Sequence, residues 1–434
     1  MRMKKITTVI LVAGKSSRFK HNKSKIFQDL AGLSIIDHVF NLAVKVSIND
    51  IIIVCNNHNI DQLKQKFPKA QFVIQTKQKG TADAILYAKK FLKNKNLLIL
   101  FGDVPLISPS SINKLKNSFF KNKSAGSMLA FTAKNPFGYG RVITQDKKIT
   151  AVIEELNTNK SEKKINLCNS GVMMCNANLL FKYIDKISND KIKKEKFLPD
   201  IFSIFNSINK SFNYVLAPES EMLGINTIKD LVELEKIFQL LLKEKLMNAG
   251  VIIQNPDSVI VSYDTQIKKG SIVEAFVQIK PSVKILENVV IKSHTVLEEC
   301  IIGENSIVGP SARIRPKSTI GKNVKIGNYV EIKNSLIGNN CSISHLSYIG
   351  DSKLGHNINI GAGTITCNYD GKKKHKTIIK NNVFVGSNTS LVAPITIGEN
   401  STIGAGSVIT RDIPANHLAV ERSNMKILRK PRKK

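Results

Sequence analysis

The sequence has no apolar run long enough to span a membrane, so we expect no stable membrane insertion. Its six cysteines are scattered without a Cys-x-x-Cys pair, which argues against a disulfide framework and a zinc site and favours a reducing cytoplasm. Acidic residues are few, since 33 Asp and Glu stand against 65 Lys and Arg, for a net charge of +32. The lysines are spread along the whole chain, so we interpret the excess as compositional bias and expect no nucleic-acid partner, although the field would favour anionic small substrates.

The N-terminus superficially resembles a secretion signal. A basic start precedes an apolar run over residues 6–13, but that run ends in the polar, basic stretch 14–18 without a convincing cleavage site. A first β-strand that leads into a phosphate-binding loop explains the pattern better.

The C-terminal half is organised by a period of six. Aliphatic residues recur at this interval from Ile267 onward, and glycine often follows them, as in Ile302-Gly303. A helix needs a period near 3.6 and a strand one near 2, whereas six fits a parallel β-helix built of short strands and turns. We expect the aliphatic side chain to point to the axis and glycine to accommodate the tight turn. The aliphatic positions are Ile267, Val273, Ile279, Ile285, Ile291, Leu297, Ile302, Val308, Ile314, Ile320, Ile326, Ile332, Ile337, Ile343, Ile349, Leu354, Ile360, Ile379, Val385, Leu391, Ile397, Ile403 and Ile409.

The length of 434 residues predicts two domains, because one ordinary core would be too large. Up to about residue 225, apolar strands alternate with amphipathic helices, which predicts a doubly wound, mostly parallel α/β sheet that binds ligands at the carboxyl ends of its strands. The predicted strands are 6–12, 51–55, 72–74 and 97–101, and the predicted helices are 35–46, 61–67 and 81–91. Helical spacing up to residue 248 predicts a connecting helix that Gly250 ends. The predicted parts are an α/β domain at 1–226, a linker helix at 227–249 and a β-helix with a basic tail at 250–434.

Two features at the ends of predicted strands suggest phosphate chemistry. The stretch from Leu11 to Arg18 contains small residues that would let backbone N–H groups approach a triphosphate, which Arg18 and Lys25 would neutralise. The stretch matches neither the Walker pattern nor Gly-x-Gly-x-x-Gly, and a plain basic turn is the alternative. Asp103 follows a buried strand and would hold Mg²⁺ against phosphate oxygens, the alternative being a turn or capping aspartate.

Short motifs follow one another along the N-terminal half in an order that resembles the sugar-1-phosphate nucleotidylyltransferases. They are Ala13-Gly14 with Arg18 and Lys25, Gln75 before Gly80-Thr81, Gly102-Asp103, Gly138-Tyr139-Gly140-Arg141, Glu154, Asn169-Ser170-Gly171 and Gly224-Ile225-Asn226. With the hexads, nearly the whole chain resembles the bacterial bifunctional N-acetylglucosamine-1-phosphate uridylyltransferases and glucosamine-1-phosphate N-acetyltransferases. The resemblance implies a Rossmann-like nucleotidyltransferase domain followed by a left-handed parallel β-helix of hexapeptide repeats.

The resemblance implies roles in the N-terminal half. Ala13, Gly14 and Gln75 would bind the uracil end of UTP, and Asp103 with Asn226 would ligate Mg²⁺. The phosphate of N-acetylglucosamine 1-phosphate would attack the α-phosphorus of UTP and release pyrophosphate, with positioning and charge neutralisation as the main catalytic factors. The implied nucleotide- and UDP-sugar-binding residues are Leu11, Ala13, Gly14, Arg18, Lys25, Gln75, Gly80, Thr81, Gly140, Glu154, Asn169 and Asn226.

The chain departs from the family pattern at three places. Ser16-Ser17 replaces the usual Gly-Thr, Ser24 replaces proline, and residues 196–200 (Lys-Phe-Leu-Pro-Asp) replace Tyr-Tyr-x-Thr-Asp. These differences bear on rate and affinity rather than on the type of reaction.

A second candidate site lies where the hexads are interrupted between Ile360 and Ile379, because a β-helix expels such an insertion as an exposed loop. His345 alone would be an ordinary polar surface residue, but its surroundings match the acetyltransferase half of the same family. Histidine titrates near neutral pH, so His345 would be the general base, and Glu331 would orient it. By the resemblance, Arg315, Lys333, Tyr348, Asn359 and Lys374 would bind the acceptor sugar phosphate, and Ala362, Asn368, Tyr369, Ser387, Ala405 and Arg422 would bind acetyl-CoA.

The resulting hypothesis is a cytoplasmic bifunctional enzyme that makes UDP-N-acetylglucosamine for peptidoglycan and lipopolysaccharide precursors. It would first acetylate glucosamine 1-phosphate and then transfer UMP to the product, and the resemblance implies a homotrimer. One alternative is a nucleotidylyltransferase whose β-helix only trimerises the chain, against which His345 argues. Another is a non-enzymatic assembly or regulatory protein, against which Lys25, Asp103 and Asn226 argue together with His345.

Overall fold

The computed structural model describes residues 5–14, 18–19, 21, 23–47, 50–121, 124–190, 195–423 and 425–428. The chain divides into two compact units, residues 1–237 and 238–434. The predicted connecting helix spans Ile228–Asn248, so the boundary between the units falls inside it. No helix in the described ranges combines the length and the apolar character that crossing a bilayer requires.

The described residues of the N-terminal unit form a nine-stranded main sheet and a small two-stranded one, Asp29–Leu30 with Leu33–Ser34. The strands of the main sheet, in spatial order, are Gln71–Ile74, Ile51–Cys55, Thr7–Leu11, Asn96–Phe101, Leu167–Asn176, Gly126–Thr132, Phe212–Leu216, Lys148–Ile153 and Arg141–Gln145. The first four strands run parallel and form the predicted doubly wound part. Leu167–Asn176 then pairs antiparallel with both of its neighbours, so the sheet as a whole is mixed rather than mostly parallel.

Helices cover both faces of this sheet, which explains why its central strands are apolar throughout. Every residue of Thr7–Leu11 and Ile51–Cys55 is buried. Alternate side chains enter two separate cores, since Val9 belongs to one cluster and Ile10 to the other. The α-helices are Ile35–Val46, Ile60–Lys66, Thr81–Ala88, Pro109–Lys121, Ala177–Tyr183 and Ile201–Ser207, and a 3₁₀ turn, Lys89–Phe91, completes the predicted helix 81–91.

The C-terminal unit is a parallel β-helix of three sheets. The first sheet contains Ile252–Ile253, Ile272–Val273, Val290–Ile291, Ile307–Val308, Lys325–Asn328, Ser342–His345, Asn359–Ile360, Phe384–Val385, Thr402–Ile403 and Leu418–Ala419. The second contains Gln278–Ile279, Val296–Leu297, Arg313–Ile314, Glu331–Lys333, Tyr348–Gly350, Ile365–Cys367, Ser390–Val392 and Val408–Ile409. The third contains Gln266–Ile267, Lys284–Ile285, Cys300–Ile302, Ser318–Ile320, Leu336–Ile337, Ser352–Leu354, Thr377–Ile379 and Ile395–Ile397.

The predicted period is confirmed residue by residue. Every aliphatic position predicted from Ile267 to Ile409 is buried and belongs to one continuous core. The interruption after Ile360 contains one further inward position, which the buried Thr366 occupies. Its hydroxyl oxygen accepts a hydrogen bond from the Gly350 N–H at 2.8 Å, so a polar side chain is satisfied inside the coil.

The glycines of the hexads stand where a Cβ would clash, as predicted, and the clash is with the neighbouring coil. A Cβ on Gly303 would lie 2.3 Å from the carbonyl oxygen of Gly321 in the next coil, so close approach of coils excludes a side chain there. At one corner of the β-helix, asparagines adopt the left-handed turn conformation instead, as at Asn340 with φ 58°. Their side-chain amides form a ladder of hydrogen bonds, in which Asn323 donates to Asn340 and Asn340 donates to Asn357, each at 3.0 Å.

Candidate active sites

A cavity of about 420 Å³ opens at the carboxyl ends of the parallel strands Thr7–Leu11 and Asn96–Phe101. This is where a doubly wound sheet presents its ligands. The predicted site residues that line it are Leu11, Ala13, Gly14, Lys25, Gln75, Gly80, Thr81 and Asp103. The structure therefore brings most of the predicted nucleotide-binding set into one cavity.

Three side-chain amides that sequence reasoning missed hold the start of the phosphate-binding loop. Asn59 donates to the carbonyl of Val12 at 2.8 Å, while Asn56 and Gln78 donate to the carbonyl of Ala13 at 3.2 and 2.7 Å. With the carbonyls of Val12 and Ala13 satisfied by protein, this described start of the loop is held in place without a ligand. The only sequence signal was the Asn-x-x-Asn spacing just after the strand Ile51–Cys55.

Of the serines that depart from the family pattern, the structure describes only Ser24. Ser16 and Ser17 lie outside the described residues. Ser24 has φ −53° and ψ 143°, within the range that a proline ring imposes, so the backbone keeps its shape without the proline. The Lys25 side chain, one residue further on, points into the cavity.

Lys25 lies between the two predicted magnesium ligands. Its ammonium nitrogen is 2.5 Å from Asp103 Oδ2 and 3.4 Å from Asn226 Oδ1, and it donates to the carbonyl of Ile225 at 2.7 Å. Arg18 donates to the same Asn226 oxygen at 3.0 Å. Three oxygens from two chain segments thus converge on one cation.

This oxygen set fits Mg²⁺, which takes few protein ligands when substrate phosphates supply the others. Within the described ranges, no three His, Cys, Asp or Glu side chains cluster as an all-protein metal site would require. Of the residues in this set, Asp103 and Asn226 have side-chain oxygens that could hold such an ion beside a nucleotide.

The segment 195–200 supports one edge of the cavity, because its backbone packs against the lining residues Gly80 and Thr81. Gly80 has φ 104°, and a Cβ there would lie 2.3 Å from the carbonyl oxygen of Lys196. Leu198 N–H donates to Thr81 Oγ1 at 2.9 Å. The Thr81 hydroxyl therefore binds this segment. Gln75 Nε2 donates to the Gly80 carbonyl at 3.2 Å. Because the segment contributes backbone atoms, its side chains can depart from the family pattern without loss of this edge.

A second cavity of about 310 Å³ contains Arg18 and Glu154 in its lining. Gly140, predicted to bind sugar, accepts the N–H of Asn169 through its carbonyl at 2.9 Å, which brings these two predicted residues together. Arg141 was given no role from the sequence, but it is buried and pairs with Glu155 Oε2 at 2.7 Å. This ion pair fixes the segment that follows Glu154.

On the β-helix, three predicted cations gather on the second sheet and the inserted loop. The neighbouring Lys374 ammonium is the main cause that lowers the pKa of Lys333, and the charge of Arg315 adds to it. Arg315 also pairs with Glu331 Oε1 at 2.7 Å. Crowded like charges on an exposed surface are suited to binding a phosphate dianion.

The predicted partner of His345 was wrong. Glu331 binds Arg315, and Asn328 Oδ1 instead lies 2.7 Å from His345 Nδ1. Asn328 and His345 are paired in register on adjacent coils of the first sheet. Since an amide oxygen accepts, Nδ1 carries the proton and Nε2 is left as the basic nitrogen.

Four predicted residues form a ladder along one corner of the β-helix. Ile343, Ile360, Val385 and Ile403 are paired in register, and two residues after each of them stand His345, Ala362, Ser387 and Ala405. Next to the top of this ladder, the guanidinium of Arg422 lies 2.8 Å from where a Cβ on Gly404 would be. The predicted acetyl-CoA residues therefore continue upward from His345 on successive coils.

The remaining predicted residues lie on the same two sheets and the inserted loop. Asn359 is exposed on the first sheet and Tyr348 is half-buried on the second. Asn368 is buried and donates to Asp351 Oδ2 at 2.5 Å, whereas Tyr369 is 60% exposed. An exposed ring beside an ordered amide is available to a ligand.

Comparison with known families agrees with this division. The family described as MobA-like NTP transferase domain matches residues 8–166, the GMPPB C-terminal domain matches residues 299–392, and six bacterial transferase hexapeptide repeats match residues 376–411. The fold and the sites define a nucleotidyltransferase joined to a left-handed β-helix of hexapeptide-transferase type. A crystal structure of a putative glucose-1-phosphate thymidylyltransferase from Bacillus anthracis in complex with a sucrose matches with a TM-score of 0.44 at 16% identity, over 54% of this chain and 94% of that one.

Relatives of similar length determine the family. The chain is 37% identical to the bifunctional protein GlmU of Bartonella bacilliformis over 97% of this chain and 94% of that protein. It is 38% identical to the bifunctional protein GlmU of Francisella tularensis subsp. novicida over 97% of this chain and 96% of that protein. The chain belongs to the GlmU family. It is a bifunctional transferase of UDP-N-acetylglucosamine synthesis, with an N-terminal uridylyltransferase and a C-terminal hexapeptide acetyltransferase.

Proposed function

We propose that the two reactions take place at two separate sites, the 420 Å³ cavity and the cationic surface beside His345. The observation that carries the first assignment is the Lys25 ammonium 2.5 Å from Asp103 at the mouth of a cavity that ends a parallel sheet. The observation that carries the second is the meeting of Lys333 and Lys374 near Arg315. UTP and glucosamine 1-phosphate are both phosphorylated, so each site has the charge that its substrate needs.

At the N-terminal site, Arg18 and Lys25 hold the triphosphate while Glu154 and Asn169 hold the sugar. An oxygen of the sugar phosphate attacks the α-phosphorus of UTP, a new P–O bond forms, and the bond to the β-phosphate breaks to release pyrophosphate. Mg²⁺ held by Asp103 and Asn226 would neutralise phosphate charge there. A phosphate nucleophile needs little activation, so positioning and charge supply most of the rate.

At the C-terminal site, His345 Nε2 accepts a proton from the amine of glucosamine 1-phosphate. The amine nitrogen attacks the thioester carbonyl of acetyl-CoA, the C–S bond breaks, and the CoA thiolate leaves and takes up the proton from His345. Asn328 Oδ1 accepts the Nδ1 proton at 2.7 Å and so favours the tautomer in which Nε2 is unprotonated. Arg315, Lys333 and Lys374 hold the sugar phosphate during the transfer.

The acetylated product then serves the N-terminal site, so acetylation precedes uridylylation. We also propose a homotrimer, since the exposed Tyr369 and the 63% exposed Leu346 beside His345 leave the acetyl-transfer site open on one chain. The enzyme works in the cytoplasm, where UTP and acetyl-CoA are available, and supplies precursors of peptidoglycan and lipopolysaccharide.

Separate assays of the two reactions test this assignment. We expect Asp103→Ala to lower uridylyl transfer by about 100-fold or more and to leave acetyl transfer unchanged, and His345→Ala to do the reverse. Asp61→Ala and His417→Ala replace exposed residues of the same types and are the matched controls. Loss of both activities in either folded variant would contradict the assignment to two sites.

A further inference from the structure

The inserted loop leaves the β-helix as a short hairpin. His375 N–H donates to the Asn368 carbonyl at 2.8 Å, and Tyr369 and Lys374 form an antiparallel bridge. The tip turns at Gly371, which has φ 95°. The hairpin therefore carries a proposed acetyl-CoA contact, Tyr369, opposite a proposed phosphate contact, Lys374.

One carboxylate ties the tip of this hairpin to its returning strand. Asp370 Oδ1 accepts the N–H groups of Lys372 and Lys373 at 2.7 and 2.6 Å. Asp370 Oδ2 lies 2.7 Å from His375 Nε2. The N–H of Lys373, the imidazole of His375 and the N–H of Lys372 together hold the pKa of Asp370 well below its usual range.

The two neighbouring side chains of the returning strand serve different partners. Successive side chains of an extended strand point to opposite faces. His375 points to Asp370, whereas Lys374 points to Lys333. The orientation of Lys374 toward the phosphate cluster thus depends on a strand that the Asp370–His375 contact holds in place.

We propose that Asp370 and His375 are positioning residues for acetyl transfer, which hold the hairpin so that Tyr369 and Lys374 face their two substrates together. This inference rests on the acetyl-transfer site proposed above. Neither residue touches a reacting atom. Their effect is on substrate binding, so it belongs in KM rather than in kcat.

Variants of His375 in the full chain test the proposal. Loss of a partly exposed pair has a modest effect, so His375→Ala should raise the KM for both acetyl-CoA and glucosamine 1-phosphate by about threefold at nearly constant kcat. His375→Gln keeps an N–H donor at the same reach and should restore KM to near the wild-type value. Uridylyl transfer by the same samples should not change, and His417→Ala is the control for loss of a surface histidine.

Limited trypsin digestion gives a readout that does not depend on activity. The hairpin tip contains Lys372 and Lys373, so loosening it in His375→Ala should speed cleavage after these residues several-fold, as followed by mass spectrometry. An active wild type with unchanged KM and cleavage rate in His375→Ala would overturn the positioning role alone, as would a fall in kcat at constant KM. A wild type with no acetyl transfer would overturn the proposed site and this inference together.

Discussion

The carboxyl group of Asp200 is a weaker acid than an ordinary aspartate. Burial, helped by the negative charge of Asp190, raises its pKa to about 6. The group binds a proton in the folded state at a pH where the unfolded chain has already lost it. Its contribution to stability is therefore fully present below about pH 4 and is lost as the pH rises through about 6.

This sign gives a prediction for a neutral replacement. Asp200→Asn should raise the free energy of unfolding at pH 7 by about 1 kcal/mol, after allowance for partial solvent screening, and the gain should vanish toward pH 4. Urea unfolding at pH 4, 5.5 and 7 measures it, with the exposed Asp185→Asn as control. A gain that increases on acidification would contradict the prediction.

Individual contacts explain which site residues the sequence could predict. Asp103 and Lys25 were predictable because each follows a strand or loop with a strong pattern, and the structure places them 2.5 Å apart. Asn328 was not predicted, because a glutamate seemed the natural partner for a histidine. It lies 17 residues before His345, one coil below, and that spacing was the available signal. Arg141 stood in a recognised motif but was given no role, because a buried ion pair leaves no periodic trace in the sequence.

At the scale of elements, the β-helix was easier to predict than the sheet. Each coil repeats the same burial, so a missed position such as Thr366 does not disturb the register of its neighbours. The N-terminal sheet depends on long-range pairing, and nothing local announces that Leu167–Asn176 runs antiparallel between two other strands. The helix Ile35–Val46 was predicted at both ends because its apolar spacing is strong.

The asparagine ladder predicts a graded response at one corner. Asn340→Ala removes two side-chain hydrogen bonds and leaves at φ 58° a residue without the polar side chain that lets asparagine adopt the left-handed conformation, so it should cost about 2 kcal/mol in the free energy of unfolding. Asn340→Gly removes the same two hydrogen bonds, but glycine adopts the left-handed conformation without strain, so this variant should cost about 1 kcal/mol. Denaturant unfolding of both variants measures the difference. Equal costs would show that the left-handed turn is not the reason for asparagine.

At the scale of the whole molecule, the proposed trimer predicts a covered corner. Tyr329 and Leu346 stand on successive coils beside His345 and are 64% and 63% exposed on one chain. Leu346→Lys should shift the protein toward monomer and lower acetyl transfer about tenfold or more, because a charge at a buried apolar contact is costly. Uridylyl transfer should stay within about twofold of the wild-type rate.

Sedimentation velocity and the two assays measure these outcomes. Leu336→Lys is the matched control, since Leu336 is 50% exposed on the third sheet, away from the His345 corner. If both variants remain trimeric with full acetyl transfer, the corner beside His345 is not a subunit contact.

The lysine between Asp103 and Asn226 has a consequence for the interval between turnovers. The Lys25 ammonium contacts both oxygens, so the Asp103 carboxylate keeps a counter-charge and its position when no ligand is bound. In the proposed magnesium site, Asp103 and Asn226 would therefore already be in position for an ion, and the Lys25 ammonium would be free to contact the substrate phosphates once the ion took its place. Lys25 thus supplies the positive charge between these two oxygens in the absence of a ligand.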